Sequence, residues 1–170
     1  MGKRVAVVSG GVGGLGTAIC RKLAQDGCRV VAADLANNEE RIAAFRSATS
    51  DLDIAFAPLD VSDFEACGAL VKDIETEHGS LDILVNAAQA SRQLLLAETP
   101  DDEMDVSFDT GFWPTFVLMR TAYPHLVQTK GNVINFATGA AFGGLPTQGS
   151  YAAAKEAIRA ISKVAATEWG

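Results

Sequence analysis

The chain has 170 residues, of which 48% are hydrophobic and 21% are charged, and its formal net charge is -7. This length and composition predict a single globular domain over residues 1–170, with an apolar core. The negative charge disfavours binding to nucleic acid or to an anionic membrane surface, because both require clustered Lys and Arg. The first apolar run, residues 4–9, is too short to cross a bilayer and resembles no signal peptide. We therefore expect a cytoplasmic protein with a small-molecule partner.

Short apolar runs rich in β-branched residues alternate with longer amphipathic stretches along the chain. The predicted strands are residues 4–9, 29–34, 54–59, 83–85 and 133–136. The predicted helices are residues 15–26, 38–48, 63–77, 101–128 and 150–169. Asp63 and the sequence Thr99-Pro100-Asp101 are plausible helix start signals.

The predicted strands are apolar on both faces, which requires a parallel sheet covered by helices on both sides. Helical crossovers between parallel strands are right-handed. The predicted fold class is therefore α/β, with a doubly wound, Rossmann-like parallel sheet in three αβα layers. Ligands of such folds bind at the carboxyl ends of the strands, so the functional residues are expected there.

The three cysteines, Cys20, Cys28 and Cys67, lie in stretches predicted as helix or strand, without CxxC spacing. Only His78 and His125 could add nitrogen ligands. We interpret the cysteines as reduced structural thiols and predict no metal site.

A glycine-rich segment, SGGVGGLG at residues 9–16, joins the first predicted strand to the first predicted helix. Glycine lets backbone N–H groups approach a pyrophosphate, because no Cβ intervenes. Two frames fit the segment, and the sequence does not choose between them. One is GxGxxG at Gly11, Gly13 and Gly16, and the other resembles TGxxxGxG at Ser9, Gly10, Gly14 and Gly16.

Asp34 ends the second predicted strand, roughly twenty residues after the glycines, where a carboxylate can hydrogen-bond both ribose hydroxyls and repel a 2′-phosphate. The glycine segment holds no Lys or Arg, and Leu35-Ala36-Asn37 adds no cation. Arg41 is the nearest cation, and we interpret it as a solvated helix residue. The pattern predicts NAD rather than NADP as the cofactor.

Tyr151 and Lys155 lie about one turn apart at the start of the last predicted helix, so their side chains project from one face. A free tyrosine phenol has a pKa of about 10, and a nearby ammonium group favours the phenolate. Such a pair can exchange a proton at neutral pH. YxxxK also occurs as a surface pair on helices, but its position after the fifth predicted strand favours catalysis.

The chain resembles the short-chain dehydrogenase/reductase family from end to end. The matching segments, in the family's order and spacing, are SGGVGGLG at 9–16, LDV at 59–61, LVNA at 84–87 and SYAAAK at 150–155. The resemblance implies an enzyme that uses NAD(H) to transfer hydride between a secondary alcohol and a ketone. It also implies a homodimer or homotetramer, and C-terminal strands of the family fold that are missing from this sequence, as in a truncated chain.

The resemblance, carried over residue by residue, implies a role for each matching position. Tyr151 would be the acid/base, Lys155 would tune it and bind ribose, and Thr138 would replace the family's catalytic serine with a bulkier hydroxyl. The cofactor-binding residues would be Ser9, Gly10, Gly14, Leu15, Gly16, Asp34, Leu35, Asp60, Val61, Asn86, Ala87, Tyr151 and Lys155. The substrate would contact Thr138, Ala140, Gln148 and Tyr151.

Several departures from the family pattern crowd the predicted site. Gly111 stands where the family has an asparagine that helps to hold a water in the proton path from the lysine. Pro114 predicts a kink or break near residues 110–114. Ala87 and Gln89 replace an asparagine and a glycine, and Gln89 is expected to project toward the nicotinamide or the substrate. The alternative to an enzyme is therefore a dinucleotide-binding regulatory or scaffold protein with a degenerate active site.

Overall fold

Residues 2–170, which the computed structural model describes, form a five-stranded parallel sheet in the order β3-β2-β1-β4-β5. The strands are β1 (Val5–Ser9), β2 (Arg29–Asp34), β3 (Ile54–Pro58), β4 (Ile83–Asn86) and β5 (Asn132–Asn135). Every predicted strand is present within one residue at each end. The order reverses between β1 and β4, and this arrangement confirms the predicted doubly wound α/β fold.

Helices connect the strands and cover both faces of the sheet. They are α1 (Gly14–Gln25), α2 (Glu39–Ala48), α3 (Phe64–His78), α4 (Asp101–Ser107), α5 (Trp113–Thr129), α6 (Gly139–Gly143) and α7 (Gly149–Trp169). The predicted start signal at Asp63 is confirmed, because its carboxylate accepts a hydrogen bond from the Ala66 N–H at the first turn of α3. α4 begins at Asp101, directly after Pro100.

The side chains of β1 alternate between two apolar clusters, one on each side of the sheet. Val5 and Val7 pack in the cluster formed with α3, α5 and α7. Ala6 and Val8 pack in the cluster that includes Cys20 of α1 and residues of α2. Because both faces of this strand are buried, its sequence is a continuous apolar run, as the prediction of a covered parallel sheet requires.

The predicted helix over residues 101–128 is interrupted by a π-helical turn, Phe108–Phe112, between α4 and α5. The predicted break near Pro114 is therefore confirmed. A proline inside an α-helix lacks the N–H that would bond the carbonyl four residues earlier, and its ring clashes with that carbonyl. The wider π turn accommodates Pro114 as an early residue of a new helix and leaves Gly111 buried beneath it.

β5 pairs with β4 on one side, and on its other side it has no partner strand within residues 2–170. A groove runs along this edge between α5 and α7, lined by residues such as Met119, Ile134 and Trp169. None of the helices in the described part of the chain is long and apolar enough to cross a membrane. The prediction of a single domain over residues 1–170, lacking strands of a longer fold, stays a prediction.

Candidate active site

The glycine turn between β1 and α1 is held by packing at three positions. Gly10 has a φ of +69° and a Cβ there would lie 2.8 Å from Ala88 Cα, while a Cβ at Gly11 would lie 2.8 Å from Ala32 Cα. A Cβ at Gly16 would overlap the Gly10 carbonyl oxygen. The structure therefore supports neither predicted frame alone, because it requires Gly11 from one, Gly10 from the other, and Gly16 from both.

Gly14 differs from these glycines, because a Cβ there would have no heavy atom of residues 2–170 within 4 Å. It begins α1, whose N-terminus lacks a side-chain cap among the described residues and has no acidic residue in its first turn. Leu15, the next residue, is 56% exposed. The start of α1 is thus exposed at Gly14 and Leu15 and uncapped, and an exposed helix N-terminus fits a phosphate group.

Asp34, at the end of β2, reaches the same turn. Its Oδ2 accepts a hydrogen bond of 2.9 Å from the Val12 N–H, and its Oδ1 accepts bonds of 2.8 Å from the Leu35 N–H and 2.9 Å from Arg41 Nη2. The interpretation of Arg41 as a merely solvated residue was therefore wrong. The sequence could not show this pair, because the first turn of α2 must fold back over the end of β2 to form it.

Asp60 and Val61, which follow β3, have different surroundings. Asp60 is exposed, and its Oδ1 accepts hydrogen bonds from the Ser62 N–H at 3.0 Å and from Ser62 Oγ at 2.6 Å. The Val61 side chain is only 8% exposed and packs in the core cluster with α3. The predicted cofactor contacts at Asp60 and Val61 stay predictions.

A chain of side-chain hydrogen bonds connects β4 to α7. Asn86 Nδ2 donates to Asn135 Oδ1 at 2.8 Å, and Asn135 Nδ2 donates to Ser162 Oγ at 2.8 Å. Ser9, beside Asn86 in the sheet, is buried, and Ala87 follows β4 and is half-buried. Asn135 and Ser162 could not be identified from the sequence, because their contact depends on how α7 crosses β5.

Tyr151 and Lys155 project from the start of α7, as predicted. Tyr151 is half-buried, and Lys155 is only 3% exposed, with Nζ 5.8 Å from the centre of the Tyr151 ring. Burial lowers the pKa of Lys155 to about 8. No carboxylate within residues 2–170 forms an ion pair with this ammonium group. The ammonium is therefore a buried donor without a charged partner in the described part of the chain.

Thr138 lies just before α6, where Oγ1 accepts a hydrogen bond of 3.1 Å from the Ala140 N–H. Since the oxygen accepts this bond, the hydroxyl hydrogen remains available for donation to another group. Gln148 precedes α7, and its N–H donates to the Leu145 carbonyl at 3.3 Å. The predicted substrate-contacting residues thus flank the start of the Tyr151 helix, and Phe142 and Leu145 are exposed beside them.

Glu103 is a buried carboxylate that the sequence analysis missed. It is 1% exposed and accepts hydrogen bonds of 2.6 Å from the Arg92 N–H and 2.7 Å from Arg92 Nε. Ser150 Oγ, next to Tyr151, donates to the same carboxylate at 3.3 Å. The hydrogen bond from the Arg92 side chain is the main reason that the pKa of Glu103 lies below its usual range. Glu103 therefore links the loop after β4 to the start of α7.

A faint signal for this site exists in the sequence. Glu103, Ser107 and Gly111 follow one another at intervals of four, which places them on one helix face, and all three are buried. Polar residues along an inward face indicate a hydrogen-bonded contact rather than an apolar core. Only Gly111 of this series was predicted to lie in the site.

Gln89 is predicted to project toward the nicotinamide or the substrate, and this stays a prediction. Its Nε2 donates to the carbonyls of Ala90 and Ser107, both at 3.0 Å, and its side chain lies against Gly111. The absence of a side chain at position 111 leaves room for the Gln89 carboxamide, which explains its direction. Two departures from the family pattern are therefore one structural feature.

Comparison with known proteins identifies what this arrangement is similar to. A model of the short-chain dehydrogenase family matches residues 4–170. The 12alpha-hydroxysteroid dehydrogenase of Clostridium sp. is 38% identical, and the match covers 98% of this chain and 68% of that protein. Nodulation protein G of Azospirillum brasilense is 37% identical, and the match covers 99% of this chain and 69% of that protein. The chain spans about two thirds of the length of these relatives.

Solved structures give the same result for the fold. The apo form of LigO from Sphingobium sp. matches with a TM-score of 0.89 and 26% identity, over 97% of this chain and 62% of that chain. A putative short-chain alcohol dehydrogenase from Sinorhizobium meliloti 1021 matches with a TM-score of 0.88 and 26% identity, over 99% and 68%. Both similarities extend over the sheet, the glycine turn and the Tyr151 helix.

Proposed function

Since this chain belongs to the short-chain dehydrogenase/reductase family, we propose that it uses NAD(H) to interconvert a secondary alcohol and a ketone. The observation that carries this proposal is Lys155, which is buried one turn from Tyr151 at the carboxyl edge of the sheet. A buried ammonium without an ion-pair partner in residues 2–170 destabilises the fold, and such groups are typical of functional sites. Here the ammonium adjoins a phenol that can exchange a proton.

The residues at the strand ends fit a nicotinamide dinucleotide. We propose that the N–H groups of Gly14 and Leu15 bind its pyrophosphate and that Asp34 binds its adenine ribose. The exposed N-terminus of α1 and the open space over Gly14 support the first assignment. Asn86, Ala87 and Lys155 are proposed for the nicotinamide side.

The bound cofactor would accept or supply the hydride, and the protein's side chains would handle the proton. We propose that Tyr151 exchanges a proton with the substrate oxygen and that the Lys155 ammonium stabilises the phenolate form of Tyr151. Thr138, whose hydroxyl hydrogen is available, would donate to the same substrate oxygen. Ala140 and Gln148 would contact the rest of the substrate.

Asp34 supports a preference for NAD, because its carboxylate would repel a 2′-phosphate. Arg41 opposes this preference, because it forms an ion pair with Asp34 and so offsets part of the negative charge. We propose that NAD is still favoured, since Asp34 is the side chain that lies directly at the glycine turn. Titration with NADH and NADPH, followed by nicotinamide fluorescence, tests this choice.

The proposed substrate is an uncharged or modestly polar alcohol or ketone. Phe142 is 71% exposed and Leu145 is 57% exposed beside the Tyr151 helix, which supports an apolar contact surface. The relatives include dehydrogenases named for 12alpha-hydroxysteroid, L-2,3-butanediol and D-threitol. A panel that covers these three sizes of alcohol, with the corresponding ketones, is the appropriate first screen.

Substitution of Tyr151 by Phe tests the proposed chemistry. We expect Tyr151→Phe to abolish turnover of any active member of the panel and to leave NADH binding intact, because only the hydroxyl is removed. The matched control is Tyr123→Phe, which alters the chain's other tyrosine, on α5 and stacked on Trp169. Unchanged turnover in Tyr151→Phe would contradict the proposal. NADH binding by the unaltered chain without turnover of any panel member would favour the regulatory or scaffold alternative.

We also propose that the protein forms a homodimer or homotetramer through α5. Trp113 is 43% exposed and packs against Phe64, Phe112 and Phe116, so an aromatic surface is presented to solvent. Large exposed aromatic side chains are typical of protein interfaces. Sedimentation analysis of the chain and of Trp113→Ala tests this assignment, and an unaltered sedimentation coefficient would contradict it.

A further inference from the structure

Hydrogen bonds join the loop after β4 to Ser107, the last residue of α4, and to the π turn. Gln89 Nε2 donates to the Ser107 carbonyl at 3.0 Å, and Thr110 Oγ1 accepts a hydrogen bond of 2.9 Å from the Ala90 N–H. The loop and the turn therefore form one connected unit, and this unit packs against α7, which carries Tyr151 and Lys155.

Within this unit, the Gln89 carboxamide occupies the volume that a side chain at position 111 would need. A Cβ at Gly111 would overlap Gln89 Oε1 and would lie 2.9 Å from Cδ and 3.0 Å from Nε2. All three nearest atoms belong to one flexible side chain and none belongs to the backbone. Gly111 and Gln89 are thus complementary, and the amide group reaches this point from the loop rather than from the helix.

The orientation of this amide follows from its neighbours. The two groups near Nε2 are carbonyl oxygens, which only the NH₂ end of the amide can satisfy. Oε1 is therefore the atom next to Gly111, and it is buried without a hydrogen-bond partner among residues 2–170. An unpaired buried acceptor is destabilising, which indicates a partner other than the atoms of these residues.

α7, which packs against the π turn, carries a complementary donor. Lys155 is buried on α7, has three N–H donors, and forms no ion pair within the described residues. We propose that Gln89 is a positioning residue of the Tyr151–Lys155 site, an inference that rests on the proposed function. In this proposal, one water bridges the two groups: it accepts a hydrogen bond from the Lys155 ammonium, donates one to Gln89 Oε1, and so holds the ammonium for proton exchange.

The first test exchanges the amide between the two positions. We expect Gln89→Ala to lower kcat roughly tenfold or more without a comparable change in KM, because a proton-transfer step loses its positioned acceptor. Gly111→Asn alone should destabilise the fold, because it displaces the Gln89 side chain. The double variant Gln89→Ala/Gly111→Asn should recover thermal stability relative to Gly111→Asn and recover kcat relative to Gln89→Ala.

The control for this exchange is Gln128→Ala, at an exposed glutamine near the end of α5. Gln128→Ala removes the same kind of side-chain amide, but from the end of α5 that precedes β5. It should change neither kcat nor stability. A kcat for Gln89→Ala equal to that of Gln128→Ala would overturn the proposal. A double variant that is stable but no more active than Gln89→Ala would overturn the interpretation that the two positions share one amide.

The second test needs no substrate and measures the ionisation of Lys155 directly. NMR titration of the labelled lysine side chains, with Lys155→Arg for assignment, reports the pKa of Lys155 in the intact chain. Gln89→Ala should lower that pKa, because the ammonium loses an acceptor, and Gln89→Glu should raise it, because a negative charge replaces a dipole. Gln128→Ala should not move it.

The comparison of Lys155 pKa values holds only if the other ionisable groups near α7 have the same charge in every variant. These are Asp101, Asp102, Glu103 and Asp105 on α4, Asp109 in the π turn, and Arg120, Tyr123 and His125 on α5, whereas α6 and β5 carry none. An unchanged Lys155 pKa in both Gln89 variants would overturn the proposal. If the pKa shifts as expected but the unaltered chain turns over no substrate, the positioning role stands and the proposed function fails.

Discussion

The glycine turn and the π turn both depend on a buried glycine, but for different reasons. At Gly16, an added Cβ would overlap a backbone carbonyl, that of Gly10, which cannot move without distorting the end of β1. At Gly111, an added Cβ would overlap only the end of the Gln89 side chain. Backbone contact permits no substitution, whereas side-chain contact permits a paired exchange. The proposed cofactor side of the site is therefore fixed by the fold, and the proposed catalytic side can be altered by complementary changes.

The largest effect is expected from Gly16→Ala, which would test whether the glycine turn is rigid. The added methyl must displace the Gly10 carbonyl, and we expect a loss of about 4 kcal/mol in the free energy of unfolding, together with loss of NADH binding. Urea denaturation and fluorescence titration measure the two effects. Gly14→Ala is the control and should fold at least as stably as the unaltered chain, because the methyl enters open space. A Gly16→Ala chain of undiminished stability would remove the distinction between the two turns.

Lys155→Met tests the cost of the charge on the catalytic side. The pKa of Lys155 falls from 10.5 to about 8 on burial, so between these values the unfolded chain binds a proton that the folded chain lacks. Stability from this group therefore rises with pH through that window, and below pH 8 the folded chain bears the full cost of the buried ammonium. The difference corresponds to about 3 kcal/mol.

We therefore expect the cofactor-free Lys155→Met chain to be more stable than the unaltered chain by up to about 3 kcal/mol at pH 7. This advantage should shrink as the pH rises from 8 and should vanish near pH 10.5. Urea denaturation of both chains at several pH values gives the difference between their free energies of unfolding. The buried cysteines are the same in both chains, so their contributions cancel from this difference. Lys163→Met, at an exposed position of the same helix, should show no such trend. If the stability difference between the two chains is constant across this pH range, the lowered pKa of Lys155 is contradicted.

Glu103→Gln would sharpen the comparison by weakening the catalytic side without changing its volume. The carboxylate accepts both the backbone and side-chain hydrogen bonds of Arg92, so the substitution removes the charge that holds the loop after β4. We expect the Tm to fall by roughly 3 °C at pH 7 with NADH binding retained. The pKa of Glu103 is lowered by Arg92, so this loss should fade as the pH falls through the Glu103 pKa.

Calorimetry on Glu103→Gln and on the control Glu98→Gln, at an exposed position before α4, measures this effect. If the two variants melt at the same temperature at pH 7, the Arg92–Glu103 pair does not stabilise the site.

The fold could be predicted from the sequence because each strand is an apolar run and several helix ends have local signals. Asp63 caps α3 with its own side chain, and Pro114 breaks the long helix through its own ring. The spacing of Tyr151 and Lys155 likewise places both on one helix face. These features depend on residues within a few positions of one another, which a sequence displays directly.

The rest of the site could not be predicted, because its contacts join distant parts of the chain. The positions that require glycine are set by Ala32 and Ala88, and the direction of Gln89 is set by the missing side chain at position 111. In the sequence, Gln89 and Gly111 are two separate departures from the family pattern, and each suggests a defect in the site. Only their approach in space shows that one offsets the other.

The smallest effect is expected from Arg41→Ala, which asks whether the cofactor side also contains an adjustable contact. Arg41 Nη2 bonds to Asp34 Oδ1, and the Arg41 side chain is 44% exposed, so solvent screens part of its charge. Removal of the guanidinium should leave the Asp34 carboxylate more negative toward a 2′-phosphate. We expect the ratio of NADH to NADPH affinity to increase by roughly fivefold, and fluorescence titration with both cofactors measures it. Arg46→Ala, on the same helix but without a bond to Asp34, is the control, and an equal ratio in the two variants would show that Arg41 has no part in cofactor choice. A changed ratio would mean that the rigid glycine turn fixes where a dinucleotide binds, while a replaceable side chain next to it adjusts which dinucleotide is preferred.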